Sequence, residues 1–482
     1  MPNAQIARHK TALHRNELSK PLAYLIADEL LRPGESFFDY GCGRGDDVRI
    51  LRTLGHRANG WDPAHLPTAE HIQSDIVNLG YVINVIEDTT ERGETLGSAW
   101  SLAEKMLVVS ARMSWDKRGL SGHRYGDGII TTSGTFQKFF EHQELRGWIE
   151  SQLSTKAYAA APGVFYVFRE ESVAQQFLAS RVYSYRPRAK LDAHAAFSAN
   201  ETALRPLLKF MSAHARPPKA SELGPSETLL IRESVGTLNR AISITRKVVA
   251  KDHWDEVLAR RRSELLIYVA LSRFGGRPRF KQLDQVLRND IRGSFGSYTA
   301  ACEAADQVLR ACGSRALLTV QARTSPIGKQ TPTSLYVHRS AVGELSPVLQ
   351  VYEGCARSLV GSVPDANMVK LHISEPGVSY LTYPTFERSA HPTLATSLKV
   401  DLKDQTIELR DYRDSDNPPL LHRKEEFVSA DDQRRDLYAR LTRSEIRHGL
   451  YEHPEQIGRL RGWESTLRSK NVQIRGHRLL RN

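Results

Sequence analysis

The sequence predicts an α/β fold: a parallel sheet with crossover helices at the N-terminus, followed by a helical region and an α+β C-terminal region. Three observations predict it. Helix-like and strand-like patterns alternate from Leu22 to Arg112, the pattern of a parallel sheet whose strands are joined by helices. A glycine turn, Gly41-Cys42-Gly43-Arg44-Gly45, sits between the first strand and the next helix. Composition then shifts after Ser184 toward segments rich in Arg and Lys. The chain has 482 residues, and at about 100–200 residues per domain it holds more than one. The expected regions are 1–180, a basic and mostly helical 185–315, and 316–482.

Taken in order, Leu22–Leu31 has helical apolar spacing and Pro33-Gly34 ends it. Ser36–Tyr40 reads as a short buried strand. Asp46 is placed to cap the next helix, Asp47–Leu54, and Gly55 closes it. Arg57–Trp61 is a second strand that ends at Asp62, and Asp75–Val82 a third. Asp75 follows Asp62 by 13 positions, too few for a helix-strand-helix excursion, so one strand or helix of a full sheet is shortened. Thr89–Glu104 reads as helix and Met106–Arg112 as strand. Ser114–Ser133 has the polar, glycine-rich composition of a mobile loop. Thr135–Leu153 reads as helix, and Lys156–Ala160 with Val164–Arg169 as an antiparallel hairpin on the sheet edge. Arg186–Glu227 contains a linker, Arg216-Pro217-Pro218-Lys219. Thr228–Cys312 is mostly helical. Within Ala316–Ser429, the segments Val378–Tyr383, Thr396–Leu402 and Thr406–Tyr412 read as strands. Ala430–Asn482 returns to helix.

Composition narrows the function. The four cysteines form no C-x-x-C pair, which argues against a disulfide scaffold and a cysteine-built zinc site. No apolar run reaches the roughly 20 residues of a membrane span, and Met1–Lys20 lacks the apolar core of a signal peptide. A cytoplasmic protein is expected. The formal net charge of +12 favours a polyanionic partner such as DNA.

The glycine turn points to a nucleoside cofactor, because glycines let the backbone approach a ligand closely and a helix N-terminus faces it. Asp39 lies two residues before Gly41, beside Tyr40. Asp62 ends the next strand, followed by Pro63, where an acid receives ribose hydroxyls. Asn78 is placed at the C-terminal end of the third strand, the edge where such sheets bind ligands. This pattern fits S-adenosyl-L-methionine (SAM) on a Rossmann-like sheet. A dinucleotide would suit G-x-G-x-x-G, and Asp46 after Gly45 would repel its pyrophosphate; an empty structural sheet is the remaining alternative. The usual adenine-contacting acid is then missing, and Asp75 or Ile76 is expected to take over part of that contact. Lys10 and Arg15 precede the sheet and are candidates for the cofactor's carboxylate, against a surface-charge reading.

RHKTAL (residues 8–13), FDYGCGRGDD (38–47), GWDP (60–63) and DIVNLGYVINVIED (75–88) resemble the DNA phosphorothioation-associated methyltransferase family. The likeness continues through TFQK (135–138), FGSYTAACEAAD (295–306), SYLTYP (379–384) and NPPLLHRKE (417–425), nearly the whole chain. The resemblance implies a class I methyltransferase sheet and a bacterial protein encoded near systems that place sulfur in the DNA backbone.

Asn78-Leu79-Gly80-Tyr81 resembles the D/N-P-P-Y motif of DNA amino-methyltransferases, in which a polar side chain accepts from the target amine and an aromatic ring stacks on the flipped base. Asn78 and Tyr81 are therefore the catalytic candidates, although Leu79-Gly80 replaces both prolines. The alternative is that Asn78 covers the cofactor and Tyr81 packs in the core. Asn417-Pro418-Pro419-Leu420 lacks the aromatic and reads as an ordinary turn. His123, Tyr125 and Asp127 lie on the glycine-rich loop. Glu87-Asp88 reads as the acidic start of a helix, against a general-base reading. Cys42 is enclosed in the turn, and no Pro-Cys lies near the sheet. Arg260, Arg261, Arg277, Arg279 and Lys281 are candidates for phosphate contact, against a solvated helix face. The expected function is methyl transfer from SAM to a DNA base amine. The alternatives are a SAM-binding sensor or accessory subunit of the phosphorothioation machinery, and methylation of RNA or a small molecule.

Overall fold

In a computed structural model of the chain, residues 6–12, 14–117, 120–182, 195–248 and 251–481 are described. The chain divides into two compact units. The first comprises Met1–Ala174, Ala356–Ala366 and Thr396–Asp411. The second comprises Gln175–Cys355, Asn367–Ala395 and Tyr412–Asn482, so 185–315 and 316–482 do not separate as two further regions. The start of 185–315 lies outside the described residues.

The first unit contains α1 (Lys20–Ala27), β1 (Ser36–Tyr40), α2 (Asp46–Thr53), β2 (Arg57–Trp61) and β3 (Ser74–Gly80). It continues with α3 (Thr89–Leu102), β4 (Ala103–Ser110), β5 (Gly122–Tyr125), β6 (Gly128–Thr131) and β7 (Phe136–Gln137), then α4 (His142–Leu153), β8 (Ala157–Ala161) and β9 (Val164–Phe168). The main sheet has the order β2-β1-β3-β4-β9-β8. The first four strands are parallel, and the β8–β9 hairpin joins β4 antiparallel. This is the Rossmann-like sheet that the sequence predicts, with the switch in strand order between β1 and β3. The chain passes from β2 to β3 with no helix among the described residues, which is the shortening that the 13-residue spacing requires.

Burial explains why these segments form these elements. β1 and β3 are apolar on both faces, as a strand covered by helices must be. Phe37, Phe38, Val77 and Leu79 are fully buried, and Phe38, Val77 and Leu79 share a core with Leu96 of α3, Leu107 of β4 and Phe165 of β9. The Asp88 side chain accepts from the backbone N–H groups of Thr90 and Glu91 and so starts α3, a cap worth about 0.5–2 kcal/mol.

Several expectations need correction. Asp46 does not cap α2: Gly45, at φ +76°, is the N-cap and Asp46 is the first helical residue. Helix α4 begins at His142, because Glu141 and Glu144 close a capping box there; Phe136–Gln137 pairs instead with β6. Within Ser114–Ser133, β5 and β6 form a hairpin rather than an irregular loop. The segment after Ala430 ends in strands, Val472–Arg475 and Arg478–Arg481, turned at Gly476.

The second unit is helical from Glu201–His214 to Arg315–Arg323. It then carries the antiparallel strands Lys329–Gln330, Ser334–His338, Met368–His372 and Gly377–Thr382, and later the helices Arg435–Arg447 and Leu460–Ser469. The expected strands 396–402 and 406–412 form a hairpin, Thr396–Asp401 with Ile407–Asp411.

Candidate functional site

The parallel strands β1, β2 and β3 end together, and a cavity of about 300 Å³ opens at that edge. Its lining includes Asp39, Tyr40, Gly41, Gly43, Asp62, Pro63, Asn78 and Tyr81. These residues lie far apart in sequence. The parallel register sets Asp39 beside both Gly60 of β2 and Asn78 of β3, which is why the sheet gathers them.

The glycine turn is anchored by Asp62. Its Oδ2 accepts the Gly43 N–H at 3.0 Å, and its Oδ1 accepts the N–H groups of Ala64 and His65 at 2.9 Å each. A carboxylate offers about four acceptor positions, so one remains on Oδ2 for a ligand hydroxyl. Gly41 has φ +85°, and a Cβ there would lie 2.4 Å from Val82 Cγ2, so only glycine fits. Trp61 and Tyr40 pack beside this turn, with ring centroids 5.1 Å apart, and His71 lies edge-on against Trp61 at 4.6 Å.

The start of α2 is occupied by acids. Asp46 and Asp47 are both buried; they accept the backbone N–H groups of Arg15 and Ser19, each at 2.8 Å. A phosphate placed at this helix N-terminus would meet two carboxylates. That geometry disfavours a dinucleotide and is compatible with a cofactor lacking phosphate.

Asn78 and Asp39 form a buried pair. Asn78 Nδ2 donates to Asp39 Oδ1 at 2.8 Å, and Asn78 Oδ1 is buried with no partner in the protein. Burial, with help from the charge of Asp47, pushes the Asp39 carboxyl up to about 7. A Cβ on Gly80 would stand 2.8 Å from Asn78 Nδ2. The glycine in place of the motif's second proline therefore makes room for the Asn78 amide to turn onto Asp39. Tyr81 follows in a left-handed conformation, φ +59°, which costs a bulky residue of order 1–3 kcal/mol. Burial, then the Asp116 charge, pushes its hydroxyl up to about 12, so it stays protonated at neutral pH.

Three expected cofactor residues do not reach the cavity wall. Asp75 is at the opposite end of β3, where it accepts from the Ser36 N–H at 2.8 Å and pairs with Lys105 at 2.8 Å; it holds the strand starts together. Lys10 lies in the short helix Arg8–Thr11, but Arg8, Thr11 and Arg15 line the cavity instead. Gly45 faces a separate hollow beside α2. Sequence reasoning missed Arg8, whose Nε donates to Glu87 at 2.8 Å and whose Nη2 donates to Glu91 at 2.7 Å. The acids Glu87 and Glu91, four positions apart on either side of the α3 N-cap, were the available signal. Glu87 is thereby a partner of Arg8, and Asp88 is the cap of α3. Cys42 lines the cavity, but burial, then Asp39 and Asp62, pushes its thiol up to about 12, so it is no nucleophile.

On the glycine-rich loop, Asp127 pairs with Arg92 and Lys138, while His123 and Tyr125 are exposed. The turn at Asn417 is held by Asn417 Oδ1, which accepts the Arg461 N–H at 3.0 Å.

The expected phosphate contacts of the second unit are largely overturned. Arg261 donates to Asp290 at 3.1 Å and to Glu264 at 2.9 Å. Arg277 pairs with Asp306 at 2.7 Å, and Arg260 donates to the Ser212 carbonyl. Their side chains are only 16%, 19% and 11% exposed for Arg260, Arg261 and Arg277, because the groups they bond come from neighbouring turns and other helices. Arg279 and Lys281 remain exposed. Among the described residues no group of His, Cys, Asp and Glu is placed to hold a metal ion, and no helix is long and apolar enough to cross a membrane.

No known family description matches the chain, and no curated protein does. Among solved structures, the chain is similar to the 1,6-didemethyltoxoflavin-N1-methyltransferase of Burkholderia thailandensis, solved with S-adenosylhomocysteine, at 14% identity over 34% of this chain and 79% of that one, with a TM-score of 0.24. It is also similar to the magnesium protoporphyrin IX methyltransferase of Synechocystis, at 17% identity over 34% and 93%, TM-score 0.25. A sugar N-methyltransferase from Streptoalloteichus matches at 15% identity over 31% and 86%, TM-score 0.25.

Proposed function

We propose that the first unit binds SAM and transfers its methyl group to an amine on DNA, in association with a bacterial phosphorothioation system. One observation carries the cofactor reading: a cavity at the ends of β1–β3 joins an Asp62-anchored glycine turn to a helix start already filled by Asp46 and Asp47. The open acceptor position of Asp62 suits a ribose hydroxyl, and the unpartnered Asn78 Oδ1 suits a ligand N–H. Ionised Asp39 suits a cation. When bound, the cofactor supplies an electrophilic methyl group on a sulfonium. Tyr81, held protonated in the wall, offers a ring face and a hydroxyl donor to an acceptor. DNA as the acceptor is supported by the net charge of +12 and by the resemblance that runs through most of the chain.

A second reading has its own support. Leu79-Gly80 stands where the motif has two prolines, and the Asn78 amide nitrogen is already held by Asp39; this degenerate motif favours a SAM-binding sensor or accessory subunit. Transfer of labelled methyl to phosphorothioated and to unmodified DNA tests both. Label on DNA that disappears with Asp62→Ala supports the enzyme. Tight SAM binding without label supports the sensor, and absence of SAM binding overturns both.

A further inference from the structure

A second hollow, of about 500 Å³, lies beside α2 and is lined by Arg44, Arg49 and Arg52 together with Val48, Gly60 and Leu66. Arg44 lines this hollow and the cofactor cavity alike, so the two are neighbours. Arg44 precedes the N-cap Gly45, Arg49 and Arg52 lie on α2, and all three are exposed. Their charges are little compensated. Among the described residues Arg44 makes no ion pair, and Arg52 donates only to neutral oxygens, the Ala58 carbonyl at 2.7 Å and Asn59 Oδ1 at 3.0 Å. Arg49 alone has an acid, Asp46 at 3.1 Å. The hollow is accessible because β2 is the last strand on that side of the sheet and no helix separates β2 from β3.

We propose that this arginine-lined hollow holds the phosphodiester backbone of a nucleic-acid strand and so presents the strand to the adjoining cavity. The inference rests on the nucleic-acid acceptor reading and moves the contact from the paired arginines of the second unit to the glycine turn and α2. Guanidinium forks match phosphate oxygens in geometry and charge. Three guanidinium groups, Arg44 ahead of the N-cap and Arg49 and Arg52 on α2, suit successive phosphates better than one small anion.

The test is fluorescence anisotropy of the full chain with a labelled duplex DNA and a labelled single-stranded RNA, over a salt series. Two triple variants are compared with the wild type. R44Q/R49Q/R52Q removes the hollow's charge, and R440Q/R443Q/R447Q removes an equal charge from exposed positions of the helix Arg435–Arg447. The first variant is expected to bind DNA, RNA or both at least tenfold more weakly. Its slope of log K against log salt falls by about 2–3 on duplex DNA, near 0.9 for each phosphate no longer neutralised. The second variant is expected to bind like the wild type. Unchanged affinity and slope in the first variant, or an equal loss in both, overturns the inference while leaving the acceptor reading in place. A wild-type protein that binds SAM by calorimetry but neither nucleic acid overturns the acceptor reading, and this inference with it.

Discussion

Asp62 in the first unit and Asp290 in the second both collect several donors, yet the two regions use them to opposite ends. Asp62 gathers three backbone N–H groups and still faces a cavity. Asp290 gathers His214, Arg216 and Arg261 and is fully enclosed. Burial would raise the Asp290 carboxyl, but the bonds from His214 and Arg261 outweigh it and hold it below the usual carboxylate range. A cluster of charge is thus a structural knot when its partners close around it, and a candidate binding site when one side stays open. The arginines teach the same lesson. Arg261 and Arg44 are the same residue type, but of the two only Arg44 has no ion-pair partner among the described residues.

The contrast can be broken first at Asp290. Asp290→Ala takes the shared buried carboxylate from His214, Arg216 and Arg261 and is expected to cost about 3–5 kcal/mol of unfolding free energy, read by urea denaturation; a loss below about 1 kcal/mol would mean that the knot is open to water. At Asp62 the effect falls on the ligand. Asp62→Ala is expected to weaken SAM binding by about 1.5–3 kcal/mol, measured by calorimetry, through loss of the turn's anchor and the ribose contact. Gly41→Ala forces a Cβ against Val82 and a side chain into left-handed backbone, and is expected to cost about 1–3 kcal/mol of stability along with SAM affinity.

The proton equilibrium of Asp39 sharpens the comparison further. Its carboxyl sits at about 7 when folded, against an ordinary aspartate value of about 4 when unfolded. The folded state therefore holds the extra proton between these values, and this contribution to stability is present below about pH 4 and fades as pH rises through about 7. Denaturation of the ligand-free protein at about pH 5 and about pH 8 should show that fall, and Asp39→Asn should flatten it. A cationic ligand prefers ionised Asp39, so SAM should bind more tightly at about pH 8 than at about pH 6. The smallest effect belongs to the exposed Arg440, where Arg440→Gln should alter stability by no more than about 0.5 kcal/mol.

The strands of the first unit were legible because a buried parallel strand is a short apolar run, as in Ser36–Tyr40, and its helix partners have sharp signals such as Gly55. The cavity's acids were legible for a related reason: Asp39 and Asp62 sit at strand ends, next to glycines whose purpose is local. Asp75 misled because a strand's two ends look alike in sequence, and only the parallel register shows that Asp75 lies at the far edge, beside Ser36 and Lys105. The arginines of 260–277 misled because neutralisation is a property of space. Asp290 and Asp306 are distant in the chain from Arg261 and Arg277, and no local pattern announces that they meet. Arg8 escaped notice because it lies well ahead of the first strand and its acids follow much later.

The strand β2, which has no further strand beyond it in the sheet, has a consequence for how the protein keeps to itself. A marginal strand offers a row of backbone donors and acceptors to any extended segment that drifts past, and long flat ones invite fibrils. Here the strand is only five residues, begins with Arg57 and passes through Gly60, where no side chain can stack on a newcomer. Immediately afterwards the chain doubles back, with Asp62 bridged to Leu66. Shortness, charge and that reversal make the margin a poor template for aggregation.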